Sequence, residues 1–531
     1  MTTRTASKKS AAKKSAAGKK RAGKKAARPA ASKKPRATKK AAPGRKAASG
    51  KKPASKKVAG RAAAKGAAAR AKGLRVRMYR VGFGDFFLLT VPTAKGDRHI
   101  VIDCGVFKGT SGTGDIGTIE AAVEDLYRTT GGRLALVIMT HRHADHIAGF
   151  SRAAETFRKF EASMVWMPYW EQFNDRKDSP HNLQAEVEEL ALRLALQFRG
   201  RQDEEARMAL DLLWDATGVD FNAAPSGERR LSGNALALDL LKNHLGKGGR
   251  NVRYYAAGDE PELPPELKGL SAAILGPPPE DAQVFLKLDD LKKGVGQYLD
   301  STTSGERGPA AVRPFRQQWS ADPARDYPAA DTHGRAIDYA EVVKDVDDAQ
   351  PDMLAAAAVQ IDKFLNNQSL VVLFTFAGKR LLFVGDAQAG NWEHWLYRID
   401  APEKDPGKIG DLAEESRRIL GEIDFYKVGH HGSTNATPIQ AVEALGGGRP
   451  AGSIVAMCST EEGVYGNPDP SKGTEVPRVP LMEALGGRCA LVRSDAIEIT
   501  VAGKKLGAAA ALPKPKSGRL TRGDLYVEYS F

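Results

Sequence analysis

Between Met1 and Gly73 the chain carries 26 lysines and arginines and no aspartate or glutamate. The rest of that segment is almost entirely Ala, Gly, Ser, Thr and Pro, with no aromatic residue and almost no branched aliphatic one. Such a stretch has nothing to bury and its like charges repel, so it is expected to stay disordered. Folding is thereby confined to the chain from Leu74 onward. The charge there has the opposite sign: 80 − 26 = 54 basic residues against all 64 acidic ones gives −10, so the overall +16 describes neither part.

The remaining chain is long enough to bury a full core. Cys104, Cys458 and Cys489 lie far apart and form no C-x-x-C pair. That spacing disfavours both a disulfide framework and a thiolate zinc site. No stretch approaches the roughly 18 apolar residues of a membrane span. No apolar segment follows the first lysines, as it would in a secretory signal. These features predict a soluble, cytoplasmic protein that makes no use of a membrane. The tail resembles the Lys/Ala/Pro-rich tails of linker histones and histone-like bacterial proteins. That resemblance implies a diffuse tether to nucleic acid, through lysines such as Lys24, Lys25, Lys39 and Lys40, and a nucleoid-associated location.

Order is expected from Leu74. "LRVRMYRV", "DFFLLTVP" and "RHIVIDCG" read as strands, and "IGTIEAAVEDLYRT" as a helix. "LALVIM" is a continuous apolar run, as in a strand covered on both faces. Leu183, Val187, Leu190, Leu194 and Phe198 fall at helical spacing, which predicts a helical insertion over 150–251. "SAAILGPPP", "SLVVLFTFAGKRLLFVGD" with a tight turn at Gly378, "IDFYKVG", "SIVAMCS", "RCALVRS" and "AIEITVAG" are further strands. "GAAAALPKPKSGR" reads as a linker to a last short strand, "DLYVEYSF", in a C-terminal extension over 502–531. Many strands in two groups with helices between them predict an α/β layered domain over 74–531.

One short segment carries most of the chemistry. "VIMTHRHADHIAGF" places His141, His143, Asp145 and His146 within six residues, and three of the ten histidines fall there. His141 and His143 alternate in a loop leaving a strand, so both rings can reach one ion. Asp145 and His146 follow on the next turn and can reach a second. Imidazole and carboxylate at this density suit two divalent ions of the Zn2+ class, with Mn2+ also compatible. A pair of such ions activates water and clamps a phosphoryl or acyl oxygen.

The order H-x-H-x-D-H after an apolar strand resembles the metallo-β-lactamase family, and other segments extend the match. "VIDCG" is similar to the family's first motif at Asp103, "LLFVGDA" to its fourth at Asp386, and "YKVGHHGS" to its fifth at His430 and His431. "VGFGD", "NNQSLV", "KVGHHGS" and "YGNP" further resemble the soluble hydrolase domain of the competence protein ComEC. The resemblance implies an αββα sandwich over roughly 74–501, minus the insertion. It implies metal ligands at His141, His143, Asp145, His146, Asp386 and the His430/His431 pair, with Asp386 bridging the ions. Of that pair one residue should ligate and the other face substrate. Asp103 is expected to hold a ligating histidine rather than bind an ion. Asp145, His431 and Asn367 are expected to act at the substrate, with Asn366, Ser369, Lys427 and Ser433 nearby.

The chain departs from the pattern in three places. The third histidine often given to the first ion has no recognisable motif here, although His181, His244 and His333 are available. The usual histidine of "YGHP" is Asn467. The channel of ComEC has no counterpart. The expected function is metal-dependent hydrolysis, with nucleic-acid phosphodiesters as substrate. The alternatives are a small-molecule ester, lactone or β-lactam hydrolase, and a DNA-associated binding protein with a degenerate site. Binding through many lysines releases counterions, so it should be steeply salt-dependent and blind to base sequence. Deleting 1–73 is expected to abolish most binding of a labelled duplex at moderate salt. Equal binding by the truncated chain would place the nucleic-acid surface elsewhere.

Overall fold

Strands that are apolar on both faces need cover on both, and the architecture supplies it. The computed structural model describes residues 73–107, 118–173, 211–212, 214–217, 233–282, 362–399, 410–466, 473–496, 499–501, 504–506 and 511–531. The basic segment 1–72 lies outside them, and with it the expected disorder and Lys24, Lys25, Lys39 and Lys40. The strands are β1 (Arg75–Tyr79), β2 (Phe86–Thr93), β3 (Gly96–Cys104), β4 (Arg133–Leu134), β5 (Leu136–Ile138), β6 (Glu161–Ala162), β7 (Val165–Pro168), β8 (Val252–Tyr255) and β9 (Leu270–Gly276). They continue as β10 (Val371–Phe376), β11 (Lys379–Phe383), β12 (Phe425–Lys427), β13 (Val455–Cys458), β14 (Ala490–Arg493), β15 (Ile499–Val501), β16 (Lys504–Leu506), β17 (Arg519–Arg522) and β18 (Tyr526–Ser530). The helices are α1 (Ile119–Thr130), α2 (Ala144–Arg152), α3 (Ala154–Phe157), α4 (Gly233–Asp239), α5 (Ala389–Tyr397), α6 (Glu414–Glu422), α7 (Ile439–Ala444) and α8 (Val479–Arg488).

Two large sheets result, ordered β17-β18-β1-β2-β3-β5-β7-β8 and β14-β13-β12-β11-β10-β9. Side chains two apart on a strand share a face. Phe87, Leu89 and Val91 of β2 accordingly join Val372, Phe374 and Phe376 of β10 and Leu381 and Phe383 of β11 in one apolar cluster shared by both sheets. The alternate residues serve the far faces. Phe86 and Leu88 meet Val123 and Leu126 of α1 and Ile147 of α2. Val371, Leu373 and Leu382 meet Trp392 and Leu396 of α5 and Leu481 and Leu485 of α8. The fold is thus mixed α/β, with helices outside two sheets that share a core. Among the described residues no helix is long and apolar enough to cross a membrane.

The site is positioned by strand direction. β3, β5, β7 and β8 run parallel, as do β11 to β14. Parallel strands deliver their carboxyl ends to one edge, which is where loops can gather ligands. Asp103, the 139–146 loop, Asp386 and His431 all leave the sheets at such ends. The hairpin at Gly378 is as expected: Ala377 (φ 51°) and Gly378 (φ 79°) are both left-handed, the geometry of a two-residue β turn.

Two boundaries differ from expectation. Within the segment expected to be a helical insertion, Val165–Pro168 is a strand paired in parallel with β5 and β8. Trp166 is fully buried in the core shared by the sheets. Most of the helical pattern, Leu183 to Phe198, lies outside the described residues. The segment 502–531 is more than an extension, since β18 pairs with β1 along its whole length and sends Val527 and Tyr529 into the shared core. Tyr529 also donates its hydroxyl to the Ser517 carbonyl at 3.0 Å. Tyr529→Ala is expected to cost about 3 kcal/mol, as truncation of a buried aromatic does. Urea unfolding checks this, and an unchanged midpoint would make the C-terminal strand an ornament.

Candidate metal centre

The loop after β5 runs from Thr140 into α2, with His143 at the helix N-cap. It is held in place mainly by backbone. The Asp85 N–H donates to the Asp145 carbonyl at 2.8 Å, and the Gly105 N–H to the Asp85 carbonyl at 2.9 Å. A side chain on Gly105 would lie 2.0 Å from the Asp145 carbonyl carbon, so only glycine lets β3 approach this turn. "VGFGD" is therefore the floor of the site rather than a plain turn.

Buried donors converge above it. Asp145, His146, Asp386 and His431 form one group whose ligand atoms lie within 4.8 Å of one another, and His141, His143 and Asp145 form a second. His146 Nε2 is 3.0 Å from Asp386 Oδ2, and His431 Nε2 is 2.9 Å from Asp145 Oδ2 and 3.4 Å from Asp386 Oδ2. His141 Nε2 is 3.1 Å from His143 Nδ1.

The neighbours fix which nitrogen each ring offers. His146 Nδ1 lies 2.8 Å from Asp103 Oδ2, and His431 Nδ1 lies 2.8 Å from the Ser459 carbonyl. Both partners only accept, so Nδ1 carries the hydrogen and Nε2 is the free donor atom. Asp103 is itself pinned by the Thr140 N–H at 2.7 Å and the Thr140 hydroxyl at 2.6 Å. It thus occupies the place expected of a residue that holds a ligand. With lone pairs facing carboxylates, only a proton or a cation can sit between them. The buried atoms His146 Nε2, His143 Nε2 and Asp145 Oδ1 make no hydrogen bond. This donor set fits a divalent cation.

Electrostatics point the same way. Burial lowers the His146 pKa, but the carboxylates of Asp386, Asp145, Asp103 and Asp85 outweigh it and hold it well above the ordinary value. For His431, burial is likewise outweighed by Asp386 and Asp145. Burial raises Asp145 and Asp386, yet the neighbouring imidazoles bring Asp145 down to about 2 and Asp386 well below the usual range. His141 and His143 are lowered, first by burial and then by neighbouring imidazoles, His143 to about 4. Lys427 is buried against Asp85 and lies 3.2 Å from Asp386 Oδ1. Burial opposes its charge, and those two carboxylates raise its pKa. The cluster demands positive charge, and metal binding here would release protons.

His430 and Asn367 stand outside the two donor groups. The His430 ring faces Ser433 Oγ at 2.7 Å and Asn435 Oδ1 at 2.9 Å, while its N–H donates to Asp386 Oδ1 at 3.0 Å. The left-handed backbone at both His430 (φ 40°) and His431 (φ 50°) turns the two rings apart. Asn367 is fully buried and accepts from the Asn391 N–H at 3.0 Å and from Asn391 Nδ2 at 3.0 Å, fixing the start of α5. Ser369 is closer to the chemistry, accepting from the Asp386 N–H at 3.0 Å and lying 3.3 Å from His141 Nδ1. Tyr169 and Trp170 are buried with Ala256 in a small cluster of their own. His244 lies in the turn Leu240–Leu245, while His181, His333 and Asn467 lie outside the described residues.

Neither a family model nor a curated protein matches this chain. The structure adds Asp85 beside His146 and Asp215 and Asp362 beside His143; lone acids far along the chain from the histidine cluster carry no signal of this in the sequence. It also adds a support no motif signals. Arg142, between His141 and His143, donates Nε to Glu171 Oε1 at 2.8 Å and Nη2 to Glu171 Oε2 at 2.7 Å, with both side chains 1% exposed. Glu171→Ala would remove both of those charge-assisted hydrogen bonds from a buried guanidinium. It is expected to cost about 3–5 kcal/mol in urea unfolding, and a change under about 1 kcal/mol would show that the pair does not brace the loop.

Proposed function

We propose that this chain is a metal-dependent hydrolase of the metallo-β-lactamase type that cleaves phosphodiesters of nucleic acid. The observation that carries the reading is the convergence of His146 Nε2, His431 Nε2, Asp145 and Asp386 at the carboxyl ends of strands from both sheets. The order of the motifs and the helix-covered pair of sheets support the family assignment. His146, His431, Asp145 and Asp386 would hold one ion, with His141 and His143 at a second. In such a site divalent cations, Zn2+ or Mn2+, supply Lewis acidity and lower the pKa of water.

The chain's own groups do the rest. Asp103 and the Ser459 carbonyl keep both ligating rings in one tautomer. Lys427 offsets the charge of Asp85 and Asp386. His430 is half-buried and lines the narrow cavity over the cluster, with Ser433, Phe83, Phe107 and Tyr465. Asn435 Oδ1 accepts from its Nδ1–H, which leaves the Nε2 lone pair to take a proton from an attacking water. The segment 1–73 would concentrate the enzyme on polyanions.

The cavity carries Asp215 and Asp362 on its wall, two carboxyl groups that offer a polyanionic substrate no counter-charge. That favours a second reading, hydrolysis of a small uncharged ester or lactone. Hydrolysis of a labelled oligonucleotide, bis(p-nitrophenyl) phosphate and an aryl lactone separates the two. Chelation is expected to abolish phosphodiester turnover. Asp386→Ala should lower kcat/KM about 1000-fold or more, since metal catalysis contributes several kcal/mol. Full activity of metal-free protein would sink the proposal, and turnover of the lactone alone would favour the second reading.

A further inference from the structure

We infer that Asp215 is a ligand for a divalent cation at the His141/His143 end of the cluster, and that Asp362 holds the His143 ring in its ligating orientation. This rests on the hydrolase reading only in that both need a cation there. His143, Asp215 and Asp362 bring donor atoms within 4.8 Å of one another. The two nitrogens of His143 face different partners. Nδ1 lies 3.1 Å from His141 Nε2 and 3.6 Å from Asp215 Oδ2. Nε2 makes no hydrogen bond and lies 3.6 Å from Asp362 Oδ1, on a ring that is 1% exposed.

A neutral imidazole offers one lone pair, and its other nitrogen carries the hydrogen. The nitrogen that shares its side with His141 is Nδ1, so Nδ1 ligates and Nε2–H is left facing the Asp362 carboxylate. Asp215 then stands on the ligating side. One of its oxygens is already engaged, since Oδ1 accepts from the Asp145 N–H at 3.1 Å. Oδ2 is the oxygen turned toward His143. Asn234 locks the arrangement by donating Nδ2 to the carbonyls of both Arg142 and Asp215 at 2.9 Å. Asp145, Asp215 and Asp362 bring three carboxylates together around one ring, which a cation would neutralise. Two imidazoles with a carboxylate make a harder donor set than three imidazoles, so Mn2+ should compete better here than at an all-histidine site.

The test is Mn2+ titration of the full chain after chelation, with free Mn2+ read by electron paramagnetic resonance. Wild type is expected to bind two ions with a spin-coupled signal. Asp215→Asn should lose one ion and the coupling, and Asp215→His, which restores a donor, should regain both. Asp362→Asn should keep two ions but weaken one about 10- to 100-fold, the usual effect of removing a ligand's hydrogen-bond partner. Thermal melting of the metal-free variants controls for folding. Should Asp215→Asn not fold, Asp362→Asn and Asp215→His carry the comparison. Two coupled ions of unchanged affinity in Asp215→Asn, or unchanged affinity in Asp362→Asn, would overturn the inference and leave the hydrolase reading intact. Two coupled ions lost on these substitutions in a protein that hydrolyses no phosphodiester would do the reverse.

Discussion

The structure is organised around buried negative charge. Asp85, Asp103, Asp145 and Asp386 are all nearly inaccessible to water and lie within one small volume. Ionised carboxylates in such a setting cost several kcal/mol each unless opposed. The oppositions are what tie the molecule together. Lys427, at the end of β12, reaches across to Asp85 on the segment between β1 and β2. His431 reaches Asp145 at the start of α2. Each of these pairs joins one sheet's side of the molecule to the other's. The strands supply the apolar core, but the charge cluster sets how their ends meet.

The legible part of this was the part written locally. A buried strand followed by four ligand-type residues in six announces itself, because no packing role needs that density. The strands of the second sheet were also legible, since residues such as Val372, Phe374 and Phe376 must alternate with Val371 and Leu373 to serve two cores. What could not be read depends on distance along the chain. β18 looks like a trailing segment until β1 is seen beside it. Asp215 and Asp362 look like surface acids until two separate stretches bring them to His143. β7 was hidden because its four residues, ending in Pro168, sit among aromatics that mimic a helix entry.

Asn367 and His430 show a different limit. Both sit where the sequence pattern puts functional residues, and both are close to the cluster. Their roles turn on which way a side chain points, and that is decided by backbone torsion and by a partner elsewhere. Asn391 captures Asn367, and the left-handed turn at His430 sends its ring toward Ser433. Proximity in a motif selects the neighbourhood of a site, whereas hydrogen-bond partners select the role.

The pairing of β1 with β18 has a consequence for how the protein is made. The second strand of that pair leaves the ribosome some 450 residues after the first, since Tyr79 pairs with Tyr526. At about 5–20 residues per second, β1 waits roughly 20 to 90 s for its neighbour. The residues upstream of β1 have already left the ribosome throughout that interval. If the proposed polyanion tether acts, its first encounter would therefore belong to the polysome rather than to the finished protein.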